Sequence, residues 1–165
     1  MAAESSRLNP QIACLLLPHS DGKHSRYRMA YPKRKPSPYP TFSEEISLQA
    51  QDYSIIAGID EVGRGPLAGP VVAGGAILAV SRHEQLIGRI RDSKLMTSKQ
   101  RVDHLPLIKF CALATETGSS SPREIDEMGI VNATFLAMKR ALQSLSLTPD
   151  FLLVDAFTIP EVEIP

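Results

Sequence analysis

Three acidic residues stand where the sequence predicts the ends of buried strands. Asp60 and Glu61 close the apolar run 53–60, and Asp155 closes the run 151–155. One acid at a strand end is usually a turn former. If the two strands are neighbours, roughly 4.8 Å apart, three such acids would repel one another unless a cation lay between them. Carboxylates favour magnesium or manganese over zinc or copper, so the pattern favours a metal site suited to two-ion phosphodiester hydrolysis.

A glycine-rich segment, Gly-Arg-Gly-Pro-Leu-Ala-Gly at 63–69, follows these acids directly. Glycines let the backbone approach a ligand closely, although a plain flexible turn would have the same composition. Gly63, Gly65 and Ala68 also fill the small positions of the dinucleotide fingerprint, which requires a following helix. Pro70 and the two valines after it argue against a helix, so the dinucleotide interpretation is disfavoured.

Elements that could position these residues alternate along the chain. Apolar runs predict strands at 53–60, 71–80, 110–117 and 151–155. Helices are predicted from Thr41 or Ser43, from Ser98 and from Pro122, the last two opened by the capping-box spacings Thr97–Gln100 and Ser121–Glu124. Pro106 is predicted to end or kink the second helix. The helix between the third and fourth strands makes a βαβ unit, which predicts that these strands run parallel.

The third predicted helix has the clearest period. Its apolar residues recur at intervals of 3 and 4 and are expected to form one buried stripe. They are Met128, Val131, Phe135, Met138, Leu142 and Leu145. A stripe of this kind is typical of core packing, so we assign it no chemistry.

The chain divides into an arm and a domain by composition. Residues 1–40 carry proline, serine and basic residues without a sustained period, which predicts an extended or disordered arm. A basic arm that touches phosphates and a solvated linker are both open interpretations. Residues 41–165 are predicted to form the folded domain.

Composition excludes several classes of protein. The 165 residues are 43% apolar and 22% charged with a formal net charge of +0, as in an ordinary one-domain globular protein. Cys14 and Cys111 are far apart and the four histidines are scattered, which disfavours a zinc site. The apolar run 12–17 is too short to span a membrane and is not typical of a signal peptide. The expected location is therefore the cytoplasm.

Four motifs resemble those of the ribonuclease HII family. Residues 58–71, Gly-Ile-Asp-Glu-Val-Gly-Arg-Gly-Pro-Leu-Ala-Gly-Pro-Val, resemble its signature segment. Asp92-Ser93-Lys94-Leu95, Glu124-Ile125-Asp126 with Ala133-Thr134 and Ala137-Met138, and Leu153-Val154-Asp155 resemble its second, third and fourth motifs. They occur in the order found in the family, and the first is highly specific.

This resemblance implies an α/β protein with an RNase H-like fold, in which a mixed sheet is flanked by helices. It implies that Asp60, Glu61 and Asp155 bind Mn²⁺ or Mg²⁺ and act in catalysis. It further implies that Gly63, Arg64 and Gly65 contact the ribonucleotide, where backbone groups could sense the 2′-hydroxyl. Lys94 would meet a phosphate, although without the resemblance it could equally be a surface lysine.

The implied activity is endonucleolytic cleavage of RNA in RNA–DNA hybrids and at ribonucleotides in duplex DNA, leaving 5′-phosphates, by a monomer. The family continues beyond the fourth motif through a fourth carboxylate and further helices, and neither Glu161 nor Glu163 stands in an equivalent context. We therefore expect an incomplete domain with uncovered sheet surface. An inactive remnant or a duplex-binding fragment is the alternative hypothesis.

Overall fold

The computed structural model describes residues 39–155 and 158–165, so the predicted arm lies almost entirely outside the described residues. The helices are α1 (Ser43–Gln49), α2 (Ser98–Cys111) and α3 (Pro122–Ser144). The strands are β1 (Ile56–Val62), β2 (Val71–Leu78), β3 (Ala112–Ser120) and β4 (Phe151–Val154), and 3₁₀ turns occupy Val80–Gln85 and Ser93–Leu95. Every predicted strand and helix is present within a few residues of its expected position.

The four strands form one mixed sheet in the order β3-β2-β1-β4. The pairs β1–β2 and β2–β3 are antiparallel, and β1–β4 is parallel. Two antiparallel steps give β3 the direction of β1, so β3 and β4 run parallel on opposite edges of the sheet. The predicted parallel relation is therefore confirmed, with two strands lying between the partners. The architecture is α/β, as expected.

Both predicted capping boxes are present. The Thr97 hydroxyl accepts from Gln100 N, and the Ser121 hydroxyl accepts from Glu124 N. The prediction for α1 was wrong in its cap, because Phe42 occupies the N-cap position rather than Thr41 or Ser43. Glu44 and Glu45 do lie in its first turn, where carboxylates suit the helix dipole.

Two helix interruptions differ from expectation. Pro106 does not end α2, which continues to Cys111, so Phe110 is helical and β3 begins two residues later than predicted. Conversely, α3 is interrupted at Gly129, whose φ of 80° and ψ of 156° are non-helical. A single glycine costs only about 1 kcal/mol in a helix, so its presence alone did not predict the break.

The core lies between α3 and the sheet. Small side chains spaced by four residues, Ala133, Ala137 and Ala141, are fully buried together with Met138. The predicted stripe is right for Met138 but wrong for Val131, which is 47% exposed. Alanines bring the helix axis close to the sheet, so the face that carries them is buried and Val131 lies outside it.

The parallel pair β1–β4 is fixed at its start by one carboxylate. Asp150, just before β4, accepts hydrogen bonds from Ser54 N at 2.8 Å and Ile55 N at 3.0 Å, just before β1. Burial alone would raise the pKa of Asp150, but these backbone N–H groups outweigh it and lower the pKa. The contact sets the relative height of the two strands, and therefore of the residues at their far ends.

The outer edge of β4 is covered by the last described residues. Leu152 N donates to Pro165 O at 2.8 Å, and Ile159 is buried in the core formed by α3 and the sheet. Lys139 Nζ binds Glu161 Oε2 at 2.6 Å. These contacts hold 158–165 against β4 and α3.

Candidate active site at the ends of β1 and β4

Asp60 and Asp155 lie side by side in the register of the sheet. The parallel pairing of β1 and β4 ends with Ile59 opposite Val154, so Asp60 and Asp155 are the next residues along the two chains. Parallel neighbours are roughly 4.8 Å apart, which brings both backbones to one edge of the sheet. The sequence-based expectation that these two acids come from adjacent strands therefore holds in the register.

One cavity of about 740 Å³ collects most of the predicted site. We call it the acid cavity. It is lined by Asp60, Glu61, Val62, Arg64, Asp92, Ser93, Lys94 and Asp155. All three predicted acids are present, with Arg64 and Lys94 as cations. Gly63 and Gly65 are not lining residues, although they flank Arg64.

Two of the predicted acids are engaged by groups nearby in sequence. Asp60 Oδ1 accepts from Glu61 N at 2.8 Å, and Glu61 Oε1 accepts from Arg64 Nη1 at 3.0 Å. The Glu61 side chain is 18% exposed and that of Arg64 is 34% exposed. The ion pair therefore lies inside the acid cavity and is only partly screened by water.

The donors suit a hard divalent cation by chemistry but not by spacing. Carboxylate oxygens are what Mg²⁺ and Mn²⁺ prefer. Across residues 39–155 and 158–165, however, no three His, Cys, Asp or Glu side chains are grouped closely enough to hold a metal ion. Shared lining of one cavity brings Asp60, Glu61 and Asp155 into the same space without gathering their oxygens around one point.

The connection from β1 to β2 depends on Gly63. Its φ is +100°, and a Cβ built on it would lie 2.5 Å from Pro70 O. The loop can therefore close on the start of β2 only with glycine at this position. An antiparallel strand follows the loop instead of a helix, which rules out the dinucleotide fingerprint here.

Sequence reasoning left Asp92 and Ser93 out of the site, although both line the acid cavity. Asp92 Oδ1 accepts from Lys94 N at 2.8 Å and caps the 3₁₀ turn Ser93–Leu95. This contact presents Lys94, which is exposed, at the cavity wall. Because Asp92 and Ser93 directly precede Lys94 in the second motif, the sequence could have indicated that they lie near the site.

A second cavity, of about 730 Å³, lies on the face of the sheet opposite to α3 and also reaches Asp60 and Asp155. Gly58, Gly74 and Ala76 line it from the two central strands, and Thr115, Thr117 and Leu153 line it from the edge strands. Glu45 borders it from α1, and partial burial raises the pKa of its carboxyl despite a backbone hydrogen bond that lowers it. The central part of this surface, in β1 and β2, is thus built largely from small residues.

Charge is divided along the described chain. Span 80–109 holds seven Lys and Arg against three Asp and Glu, whereas span 39–79 holds one against five. Span 110–155 holds three against six. Lys94 brings the basic span to the wall of the acid cavity. The formal net charge of zero therefore conceals a basic stretch of sequence, of which Lys94 is the cation that lines the acid cavity.

Comparison with solved structures defines the class of fold. The ribonuclease H2 from Pyrococcus horikoshii OT3 superposes with a TM-score of 0.53 at 29% identity, over 61% of this chain and 49% of that one. The sheet with helices packed against it is an RNase H-like α/β fold. The sequence profile of the family described as Ribonuclease HII matches residues 57–163. The chain belongs to the ribonuclease HII family.

Curated relatives of this chain belong to the same family. The ribonuclease HII of Desulfitobacterium hafniense (strain DSM 10664 / DCB-2) is 46% identical over 122 residues, which are 74% of this chain and 46% of the relative. That of Dehalococcoides mccartyi (strain ATCC BAA-2100 / JCM 16839 / KCTC 5957 / BAV1) is 41% identical over 126 residues, 76% of this chain and 59% of the relative. The chain spans about half the length of the curated relatives it matches.

Two further observations concern membrane-spanning helices and the two glutamates near the end of the described residues. Among the helices that the structure describes, none combines the length and apolar character needed to cross a bilayer. Glu161 pairs with Lys139, and neither it nor Glu163 is among the residues that line the acid cavity. The cytoplasmic location and the monomeric state stay predictions.

Proposed function

We propose that this chain acts as an endoribonuclease on RNA in RNA–DNA hybrids and on ribonucleotides embedded in duplex DNA. The observation that carries the proposal is the register of β1 and β4, which brings Asp60 and Asp155 to one edge of the sheet beside Glu61. Membership of the ribonuclease HII family supports the class of substrate.

In this proposal the cations of the acid cavity bind phosphates. Arg64 and Lys94 line the cavity from two different segments, one from the loop after β1 and the other from the 3₁₀ turn before α2. Two cations that line one cavity can hold phosphates of one strand without reading bases. The backbone of Gly63 and Gly65 is the part of the loop that we expect to approach the 2′-hydroxyl of the ribonucleotide.

We further propose that Asp60, Glu61 and Asp155 bind Mg²⁺ or Mn²⁺ and that hydrolysis leaves a 5′-phosphomonoester. A pair of such ions would activate water and stabilise the leaving oxygen. Glu61 Oε1 is paired with Arg64 and Asp60 Oδ1 with Glu61 N, so an ion that takes these oxygens would compete with both partners. Binding of the cation is thus expected to rearrange these two side chains.

The test is cleavage of a duplex containing one ribonucleotide by the purified chain with Mn²⁺ or Mg²⁺. We expect Asp60→Asn to reduce the rate about 100-fold or more, because loss of an outer-shell partner alone costs 10- to 100-fold at metal sites. Asp103→Asn is the matched control, since Asp103 is an exposed acid on α2 outside the acid cavity. Cleavage that persists unchanged in Asp60→Asn contradicts the proposal.

A duplex-binding fragment without cleavage is the second candidate, favoured by the ungathered carboxylates of the described residues. Binding of the same duplex, followed by fluorescence anisotropy, separates the two. Binding without turnover in either metal supports the second candidate. Turnover that requires Asp60 supports the first.

A further inference from the structure

The ion pair between Arg64 and Glu61 conflicts with the metal site proposed above. Glu61 is needed as an anionic ligand, yet its Oε1 accepts from Arg64 Nη1 at 3.0 Å within the acid cavity. A guanidinium and a divalent cation both seek the same carboxylate oxygens, and the two positive charges repel each other. Both cannot hold Glu61 at full strength.

The ion pair of Glu61 with Arg64 is formed within the loop after β1 and not between segments distant in sequence. Glu61 lies in β1, and Arg64 follows it three residues later, just past Gly63. The positive φ of Gly63 turns the chain sharply there. The turn returns the guanidinium toward the strand that it has just left, so that the loop places its own cation on the second of the three acids.

From this conflict we infer that Arg64 is an internal competitor for the divalent cation at Glu61, and that metal binding transfers Arg64 from Glu61 toward a substrate phosphate. The inference rests on the proposed function. Arg64 acts here as a positioning residue, because it sets the availability of Glu61. It also follows that metal and polyanion strengthen each other's binding, since each favours the arrangement in which Arg64 has left Glu61.

Lys94 provides a matched comparison. It lines the same cavity and carries the same charge, but no acidic side chain of the described residues forms a salt bridge with it. Removal of either cation makes the cavity more negative and should favour a metal ion in general. Only removal of Arg64 also releases Glu61. The difference between the two variants therefore isolates the competition.

The experiment is titration of the chain with Mn²⁺ alone, without nucleic acid, by calorimetry or by loss of the free-ion electron paramagnetic resonance signal. We expect Arg64→Gln to bind Mn²⁺ about two- to fivefold more tightly than Lys94→Gln, the range implied by a partly exposed ion pair. Arg64→Lys, which retains a cation able to pair with Glu61, should return toward the wild-type affinity. Thermal melts without metal confirm that each variant is folded.

Each outcome decides something. If Mn²⁺ binds to the wild type, is lost in Asp60→Asn, and binds no more tightly to Arg64→Gln than to Lys94→Gln, the inference is wrong and the proposed metal site stands. If Mn²⁺ does not bind, or binds equally well to Asp60→Asn, the inference and the proposed metal site both fail.

Discussion

Gly63 lies where the loop after β1 passes close to the start of β2. A side chain there would meet Pro70 O, and the residue is held at a φ of +100°. Gly65, two residues later, has neither constraint, since a Cβ built on it meets no described atom within 4 Å. The two glycines of the Gly-Arg-Gly motif therefore have different structural duties.

We expect Gly63→Ala to lower the free energy of unfolding by about 1–3 kcal/mol, the cost of holding a side chain in a left-handed conformation. Gly65→Ala should leave stability unchanged or raise it by less than about 1 kcal/mol, because alanine has fewer unfolded conformations to lose. Urea denaturation followed by circular dichroism measures both. Equal losses in the two variants would contradict this division of roles.

Glu124 is the residue whose ionisation the fold perturbs most clearly. Its carboxylate accepts from Arg140 at 2.7 and 3.0 Å and from Ser121 N at 2.8 Å. The Arg140 hydrogen bonds, followed by that from Ser121 N, lower the pKa of Glu124 from its ordinary value of 4.5 to about 2. Arg140 also donates to Ser119 O. The network therefore joins the end of β3 to Glu124 in the first turn of α3 and to Arg140 near its other end.

The sign of the pH dependence follows from the lowered pKa. The ionised form is favoured by folding, so its contribution is complete above pH 4.5 and is lost as the pH falls through about 2. We expect Glu124→Gln to be less stable than the wild type at pH 7 and to lose less stability between pH 4.5 and 2. Urea midpoints at several pH values provide the measurement.

Glu127→Gln is the control for that series. Glu127 pairs with Arg123 at 2.8 Å, but the two side chains are 57% and 87% exposed, and such pairs contribute little. A profile for Glu124→Gln that cannot be distinguished from that of Glu127→Gln would show that the Arg140 network does not stabilise the fold.

At the scale of elements, α3 approaches β3 closely at Gly118. A Cβ built on Gly118 would lie 2.3 Å from both Ala137 O and Ala141 N, which are backbone atoms of the helix. Alanines on the helix and glycine on the strand together allow this approach. The spacing of sheet and helix is therefore set by small side chains on the helix and by the lack of a side chain at Gly118.

Gly118→Ala should destabilise the fold by about 3 kcal/mol or more, because the clash is with backbone and no side chain can move aside. Gly74→Ala, in the neighbouring strand opposite Thr117, should cost nothing, since a Cβ there meets open space in the described structure. Chemical denaturation of the two variants checks this. A small loss for Gly118→Ala would mean that α3 can shift away from the sheet at little cost.

Local signals at this scale were predictable from sequence, and distant ones were not. The capping boxes at Thr97 and Ser121 are made within four residues, so their spacing alone identified the starts of α2 and α3. The buried face of α3 depends on how closely it approaches Gly118, a residue outside the helix. An apolar pattern therefore selected Val131 for burial where the packing selected Ala133.

At the scale of the whole molecule, the pairing of strands and of distant segments could not be predicted from the sequence. The acids at 60, 61 and 155 and the glycines at 63 and 65 could be selected because motifs and strand ends are local features. That β3 lies two strands from β4, and that Asp92 and Ser93 line the acid cavity, depends on contacts between distant segments. The ion pair of Glu61 with Arg64 depends on the backbone turn at Gly63. The residue types alone do not specify the conformation of that turn.

Along the chain, residues 80–109 are basic and the described spans on either side are acidic. This division affects how the described part of the molecule approaches a polyanion. Residues 39–165 hold 11 Lys and Arg against 16 Asp and Glu, so by total charge this part of the molecule is repelled. Attraction to a polyanion therefore has to be local, at basic groups such as Lys94 on the wall of the acid cavity, and it extends over roughly a Debye length. A duplex is thus expected to be held there only at short range, and a higher salt concentration should weaken its binding.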